Sequence, residues 1–192
     1  MAVRKSNVYI FTGEAKGKTT AAMGLALQAA AEQRMVTVVQ FLKGGGYTGE
    51  LFAAAWLAPY FTIRQFGYGC PIAEKIKSGE KLCNKCGQCF RENRNPDNGF
   101  APLALAFAAK VLAGGQVDML VMDEISHAVR HRLISLADVI NLVKHRPTGV
   151  DIVLTGRYMP EELMAIADQI TVCKVVKHPI TQGIDARRGI EY

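Results

Sequence analysis

The sequence lacks the features that mark three large classes of protein. It has no run of roughly 18 or more apolar residues, the length that a membrane-spanning helix requires. Residues 1–7 are polar and lead into an apolar segment with no cleavage-site pattern, so we expect no secretory signal peptide. No long basic run interleaves with aromatic residues. We therefore expect a protein that neither spans a membrane nor binds nucleic acid.

The cysteines do not suggest a disulfide framework. An odd number of cysteines without a secretion signal is typical of the reducing cytoplasm, so we expect a cytoplasmic protein. The net charge of +6 fits an anionic small molecule such as a triphosphate. Cys173 belongs to an apolar segment, where we expect it to pack in the core. The cysteines are Cys70, Cys83, Cys86, Cys89 and Cys173.

The order of the predicted elements indicates one α/β domain over residues 1–192. A chain of 192 residues with 49% hydrophobic residues can bury one sizeable core. Strand-like apolar runs alternate with helical patterns, which predicts a mostly parallel sheet with helices on both faces. The predicted strands are residues 7–12, 36–42, 61–66, 119–122, 151–155 and 170–176, and the predicted helices are residues 19–33, 51–57, 102–112, 136–144 and 161–169.

Residues 67–99 differ from the rest of the chain because they are polar, rich in glycine and cysteine, and poor in aliphatic side chains. We predict an insert or ordered lid here. Cys83, Cys86 and Cys89 follow the pattern C-x2-C-x2-C, and Cys70 can add a fourth thiolate, which suits zinc or an iron–sulfur cluster. A redox pair and unconnected reduced thiols remain alternatives.

A glycine-rich loop between the first strand and the first helix predicts a phosphate-binding site. Backbone N–H groups of such a loop point at an anion, Lys18 adds a positive charge, and Thr19 can place a hydroxyl on a divalent cation. Three residues separate Gly13 from Gly17, whereas the common pattern has four. The alternative is a simple glycine turn. The predicted nucleotide ligands are Gly13, Glu14, Ala15, Lys16, Gly17, Lys18, Thr19 and Thr20.

Two further polar groups follow predicted strands. Asp123 and Glu124 come directly after an apolar strand, where one of them can hold the metal of a nucleotide; the alternative is a helix cap. Arg157 follows the next strand, at the sheet edge where ligands bind, although a surface arginine would look the same. We expect His127, His131 and His145 to be surface or core residues.

Taken in order, these motifs resemble the ATP:corrinoid adenosyltransferases of the bacterial cobalamin pathway. The resemblance covers the chain from about residue 7 to the C-terminus, interrupted by the insert, and the shortened phosphate loop is part of it. The residues that carry it are 13–22, 38–44, Gly49-Glu50, Met122-Asp123-Glu124, Leu154-Thr155-Gly156-Arg157, Val176-Lys177-His178, Gly183-Ile184 and 186–192.

The resemblance implies a RecA-like phosphate-loop fold, a homodimer, and transfer of the 5′-deoxyadenosyl group of ATP to cobalt(I) of a corrinoid with release of triphosphate. It implies that the nucleotide lies reversed along the loop and that Thr19 and Glu124 hold Mg²⁺ or Mn²⁺. The catalytic residues that the resemblance implies are Lys18, Glu124 and Tyr68, and Arg157 is implied to bind ATP. The resemblance also implies that a flavoprotein or other reductase supplies the electrons that reduce cobalt.

The residues after the third strand depart from this family. Members place aromatic residues there that help to displace the lower axial ligand of the corrin, whereas this chain keeps Tyr68 and has Cys70 where tryptophan can occur. Two other functions remain open. One is an ATPase in which Glu124 activates water, and the other is a nucleotide- or corrinoid-binding protein without catalysis.

Overall fold

A parallel β-sheet organises the chain. The computed structural model describes residues 5–45, 49–83, 86–183 and 190. Within these residues the sheet has six strands in the order β3-β2-β4-β5-β1-β6, and every neighbouring pair is parallel. The strands are β1 Val8–Thr12, β2 Val36–Phe41, β3 Phe61–Phe66, β4 Met119–Asp123, β5 Asp151–Thr155 and β6 Gln169–Val172.

Helices connect the strands, as parallel pairing requires. The first is rich in alanine, a strong helix former, and turns a stripe of small side chains toward the sheet. The helices are α1 Lys18–Ala31, α2 Gly49–Trp56, α3 Ala73–Lys77, α4 Gln88–Arg94, α5 Phe100–Ala113, α6 Ile125–Arg130, α7 Leu136–Lys144 and α8 Glu161–Met164, with 3₁₀ turns at Pro96–Asn98 and Pro179–Gln182.

The central strands β1, β2, β4 and β5 are buried on both faces of the sheet, whereas the edge strands β3 and β6 are partly exposed. Successive residues of a strand point to opposite sides, and Val38 packs in the core under α1 while Val39 packs in the core under α5–α8. This double coverage explains why the central strands are continuous apolar runs. It confirms the α/β class and agrees with the RecA-like phosphate-loop fold that the resemblance implies.

Some predicted boundaries were wrong for reasons of tertiary pairing. The helix predicted over residues 161–169 ends at Met164, because Asp168 is already held by the sheet: its backbone N–H and its carboxylate both bond the backbone of Val8. The strand predicted over 170–176 begins at Gln169 and ends at Val172, where its partner β1 also ends. Cys173 therefore follows the strand instead of lying in it.

Three short helices were not predicted. Helix α6 follows directly from Glu124, and α3 and α4 lie within residues 67–99, where the expectation was an insert or ordered lid with no helix assigned. Each has seven residues or fewer, which is too short for a clear helical periodicity. Among the residues that the structure describes, no helix has the length and apolar character needed to cross a membrane.

Candidate active site

The phosphate loop is held between β1, α1 and the end of β6. Gly13 has φ +103°, and a Cβ atom there would clash with the backbone oxygen of Cys173. That oxygen accepts a hydrogen bond from the N–H of Ala15 at 3.3 Å. Gly17 has φ +107° and precedes α1. Both positions favour glycine because only glycine adopts such angles at low cost, and Gly13 is needed also because the Cys173 backbone leaves no room for a side chain.

The loop also contacts the turn after β5. The hydroxyl of Tyr158 donates to Oε1 of Glu14 at 3.0 Å, and the guanidinium of Arg130 lies 4.3 Å from the centre of the Tyr158 ring. Lys16 and Thr20 are exposed on the outer side of the loop and of the first helical turn. Ala15 and Lys18 are therefore the buried side chains of this region, whereas the longer polar side chain of Glu14 is exposed, like those of Lys16 and Thr20.

Lys18 is buried within the loop, with 6% of its surface exposed. Its ammonium donates to the carbonyl oxygen of Ala15 at 2.7 Å. Burial lowers the pKa of Lys18, the charge of Arg157 adds to this shift, and the charge of Glu124 opposes it. Lys18, Glu124 and Arg157, which lie far apart in the sequence, therefore share one electrostatic environment.

Asp123 is fully buried and accepts four hydrogen bonds. Oδ1 accepts from the hydroxyls of Thr19 at 2.8 Å and Thr155 at 2.6 Å, and Oδ2 accepts from Gln40 at 3.1 Å and the Lys43 ammonium at 2.7 Å. Burial alone would raise the pKa of Asp123, but the charge and hydrogen bonds of these partners lower it. Since a carboxylate offers about four lone-pair sites, protein donors use the acceptor capacity of Asp123 completely.

Glu124 is the carboxylate that faces open space. Its backbone is in the left-handed region with φ +62°, an uncommon conformation for a residue other than glycine, and its N–H donates to Oγ1 of Thr155 at 3.0 Å. Its Oε2 lies 4.0 Å from Nδ1 of His127. Burial raises the pKa of Glu124, and the charge of Asp123 raises it further. A carboxylate in this position binds a cation readily, because the positive charge offsets both the cost of burying the ionised carboxylate and its repulsion by Asp123.

A cavity of about 290 Å³ opens beside Glu124, a volume at the small end of the range for ligand sites. The strand ends contribute Lys43, Glu124 and Arg157, and helix α4 contributes residues from within 67–99. His127, which we predicted to be a surface or core residue, also faces the cavity, and burial with the charge of His131 lowers its pKa to about 4. The lining residues are Phe41, Leu42, Lys43, Phe90, Asn93, Arg94, Glu124, His127 and Arg157.

Arg157 is placed by a close contact between two elements. Gly156 has φ +144°, and a Cβ atom there would clash with the hydroxyl of Ser126. That hydroxyl donates to the carbonyl oxygen of Arg157 at 2.7 Å. The turn after β5 is thereby fixed against α6, which keeps the Arg157 side chain at the cavity.

The segment 67–99 reaches the cavity through α4. Asn93 is buried, its Oδ1 accepts from the N–H of Tyr68, and its Nδ2 donates to the carbonyl oxygen of Tyr68 at 3.2 Å. The Tyr68 hydroxyl accepts from Gln88 at 3.4 Å. Tyr68 is not among the cavity-lining residues, whereas Phe90 lines the cavity and is 67% exposed. The aromatic side chain available to a ligand there is Phe90.

The cysteines predicted to bind metal all lie in this segment. Cys70 and Cys89 are half-buried thiols, and Cys83 and Cys86 are exposed thiols. Across residues 5–45, 49–83, 86–183 and 190, no three histidine, cysteine, aspartate or glutamate side chains form a preassembled site for a metal ion. The four predicted cysteine ligands are therefore close in sequence, but their side chains are not arranged around one common point.

The structure brings Lys18, Thr19, Glu124 and Arg157 together at the carboxyl ends of the parallel strands, as predicted for a ligand site. The sequence analysis assigned no role in the site to several side chains that surround them. Gln40 was detectable in principle as a polar residue inside an apolar strand. The other residues without an assigned role in the site are Lys43, Thr155, Phe90, Asn93, Arg94 and His127. Residues 184–189, 191 and 192 of the C-terminal motif lie outside the described residues.

Comparison with known proteins gives one consistent family. Residues 4–192 match the family model described as ATP:corrinoid adenosyltransferase BtuR/CobO/CobP. A corrinoid adenosyltransferase of a Sinorhizobium species is 31% identical, with 98% of this chain and 81% of the relative covered. Corrinoid adenosyltransferase CobA of Salmonella typhimurium strain LT2 is 29% identical, and the corrinoid adenosyltransferase of Escherichia coli K12 is 28% identical; each comparison covers 96% of this chain and 85% of the relative.

Proposed function

The chain belongs to the ATP:corrinoid adenosyltransferase family, and from this membership we propose how its own residues carry out the reaction. The protein is a transferase that moves the adenosyl group of ATP to the cobalt of a corrinoid in cobalamin biosynthesis or salvage. The observation that carries the residue assignments is the cluster at the strand ends, where the phosphate loop, Lys18, Glu124 and Arg157 meet around one opening.

The phosphate loop binds the triphosphate of ATP. Its N–H groups and the start of α1 present partial positive charge, and Lys18 adds a full charge where the loop has its tightest turn. In the transfer, cobalt(I) donates an electron pair to C5′, the cobalt–carbon bond forms, and the C5′–O bond breaks with its electron pair leaving on triphosphate. The loop and Lys18 stabilise the charge that develops on the leaving oxygen.

Thr19 and Glu124 would hold the Mg²⁺ or Mn²⁺ of the nucleotide. The residues fit such an ion because the Thr19 hydroxyl donates its hydrogen bond to Asp123, which leaves the lone pairs of the hydroxyl oxygen for a cation. Asp123 has no acceptor capacity left, so Glu124 supplies the carboxylate. A bound divalent cation would offset the negative charge of the triphosphate.

The corrinoid approaches from the cavity side. Glu124 and Arg157 line the cavity and also interact with Lys18, so they lie between the phosphate loop and the cavity. Residues 67–99 act as a lid within the single domain, with Phe90 as the aromatic contact. Tyr68 positions this lid through its hydrogen bonds with Asn93. A catalytic contact between Tyr68 and the substrate stays a prediction.

The test is direct. Protein, ATP, Mg²⁺ and chemically reduced cobalamin are mixed in the dark, and the light-sensitive cobalt–carbon product is followed by absorbance. Product with triphosphate supports the proposal, ADP with phosphate would indicate an ATP hydrolase, and no turnover would indicate a binding protein. Lys18→Ala should lower kcat by about 10²–10³-fold. The matched control is Lys144→Ala, an exposed lysine at the end of α7, which should keep full activity.

Three further parts of the proposal concern the protein's surroundings. We propose a homodimer, a cytoplasmic location, and a flavoprotein or other reductase that delivers electrons to cobalt. The exposed side chains of Phe52 and Trp56, one turn apart on α2, support an interface because they form an apolar patch on one helix face. Light scattering of the wild type and of Trp56→Ser tests the dimer, which the variant should weaken.

A further inference from the structure

The cysteine motif of residues 67–99 is not used by the adenosyl transfer. Cys83, Cys86 and Cys89 have the C-x2-C-x2-C spacing, and Cys70 lies upstream and is followed by Pro71. In bacterial ferredoxins the same spacing supplies three ligands of a [4Fe–4S] cluster, and the fourth is a distant cysteine that precedes proline. The combination is more specific than a C-x2-C pair, which zinc and redox sites share.

The fold brings the distant cysteine toward the motif. Cys89 and Asn93 are one turn apart on α4, so their side chains lie on the same face. Asn93 bonds both the N–H and the carbonyl of Tyr68, and Cys70 is two residues beyond Tyr68. The face of α4 that carries Cys89 is therefore fixed against the chain that carries Cys70.

Close backbone packing makes this arrangement rigid. A Cβ atom on Gly69 would lie 2.7 Å from the Cα of Gly45, and a Cβ on Gly45 would lie 3.0 Å from the backbone nitrogen of Cys70. The chain before Cys70 thus rests directly on the loop after β2. Between Cys86 and Cys89, Gly87 has φ +73° and turns the chain into α4.

The surroundings of the sulfurs also fit a bound cluster. Cys70 and Cys89 are half-buried and Cys83 and Cys86 are exposed, so none of the four thiols is enclosed in the apolar core. Their side chains, all within the part of the chain that the structure describes, do not form a preassembled site, and a cluster would draw them together. Residues 78–83 are all exposed, so this stretch has no apolar core of its own. Short segments without a core commonly depend on a metal for their fold.

We propose that Cys70, Cys83, Cys86 and Cys89 ligate a [4Fe–4S] cluster that joins the end of β3 to α4. The cluster fixes α4, and through α4 it fixes Phe90, Asn93 and Arg94 at the cavity. Basic residues of the segment, including Arg91 and Arg94, offset the negative charge of a cluster with four thiolate ligands. The cluster itself stands independently of the proposed function; only its effect on turnover rests on that function.

The first experiment measures metal content. The full chain is expressed with added iron and purified without oxygen, and iron, acid-labile sulfide and zinc are determined per chain. We expect about four iron and about four sulfide, a broad visible absorbance that dithionite bleaches, and an electron paramagnetic resonance signal from the reduced protein. Iron near zero after anaerobic reconstitution, or one zinc per chain in place of iron, would overturn the proposal.

Single variants test the ligand set. Alanine at position 70, 83, 86 or 89 should remove most of the iron, whereas Cys173→Ala, the matched control outside the segment, should keep it. Circular dichroism and ATP binding show whether each variant is folded, because the phosphate loop lies on a different strand. Full iron retention by Cys70→Ala would refute the assignment of the fourth ligand.

Limited proteolysis tests the anchoring of α4 without any activity measurement. Trypsin should cut after Lys75, Lys81 and Arg91 at least about tenfold more slowly in the cluster-loaded protein than in Cys86→Ala, because cleavage reports local opening. Equal cleavage rates would refute the anchoring role. Loss of transferase activity in all preparations, with iron retained, would count against the proposed function and leave the cluster in place.

Discussion

Asp123→Asn is the substitution for which the structure predicts the largest effect from the smallest change. The two side chains have the same shape, but the amide replaces one oxygen by an NH₂ group. If the NH₂ group faces Gln40 and Lys43, it meets two donors; if it faces Thr19 and Thr155, their hydroxyls must turn round to accept. In either orientation the variant loses the formal negative charge that pairs with the Lys43 ammonium.

The magnitude follows from burial. Asp123 is fully buried, while the Lys43 side chain is 29% exposed. Removing one partner of a buried ion pair costs about 3–5 kcal/mol, and the partial exposure of Lys43 favours the lower end, about 3 kcal/mol. For a chain of this size each kcal/mol corresponds to about 2–4 °C in Tm, so we expect a fall of about 6–12 °C. Nucleotide affinity should fall as well, because Thr19 and the phosphate loop lose their fixed partner.

Urea unfolding at pH 7 provides the assay, with Asp138→Asn as the control because Asp138 is exposed in the first turn of α7. The pKa of Asp123 is lowered in the folded state, so its stabilisation is present above the unfolded pKa of about 3.9 and disappears as pH falls through the folded value. The difference between wild type and variant should hold from pH 7 to about pH 5. A difference below about 0.5 kcal/mol at pH 7, the range of surface changes, would refute the reasoning.

Three other predictions concern the same site. Glu124→Gln should lower kcat/KM and remove an acidic limb from the pH profile, a limb that lies above the ordinary carboxylate range because the pKa of Glu124 is raised; an unchanged profile would contradict the metal role. Folding lowers the pKa of His127 from 6.5 to about 4. Between these two pH values the unfolded state therefore binds more protons than the folded state. Unfolding free energy should fall as pH drops from 6.5 to 4, by up to about 1.4 kcal/mol per pH unit, and His127→Asn should flatten that slope in urea titrations. Gly13→Ala should abolish nucleotide binding in calorimetry because its Cβ clashes with the Cys173 backbone, whereas Gly24→Ala, with open space in α1, should bind normally and gain roughly 0.5–1 kcal/mol.

The local features of this protein follow from its sequence. The strand, glycine loop and helix over residues 8–31 depend on contacts between near neighbours, namely apolar runs, alanine-rich helical propensity and glycines at positive φ. The predicted positions of Lys18, Thr19, Glu124 and Arg157 at strand ends rest on the same local signals, together with the rule that parallel strands carry ligand sites at their carboxyl edge. For this reason the α/β class and the core of the site were predictable.

Tertiary structure decided which acidic residue remains available and where the cysteine segment lies. The position after an apolar strand does not distinguish Asp123 from Glu124, and the resemblance implied Glu124 without a physical reason. The tertiary contacts supply that reason, because Thr19, Gln40, Lys43 and Thr155 occupy the oxygens of Asp123. Likewise, only the paired hydrogen bonds of Asn93 with Tyr68 place α4 at the cavity. A sequence pattern shows which secondary structure each segment prefers. Whether a carboxylate remains available to a ligand depends on hydrogen-bond donors that the sheet brings to it from distant segments.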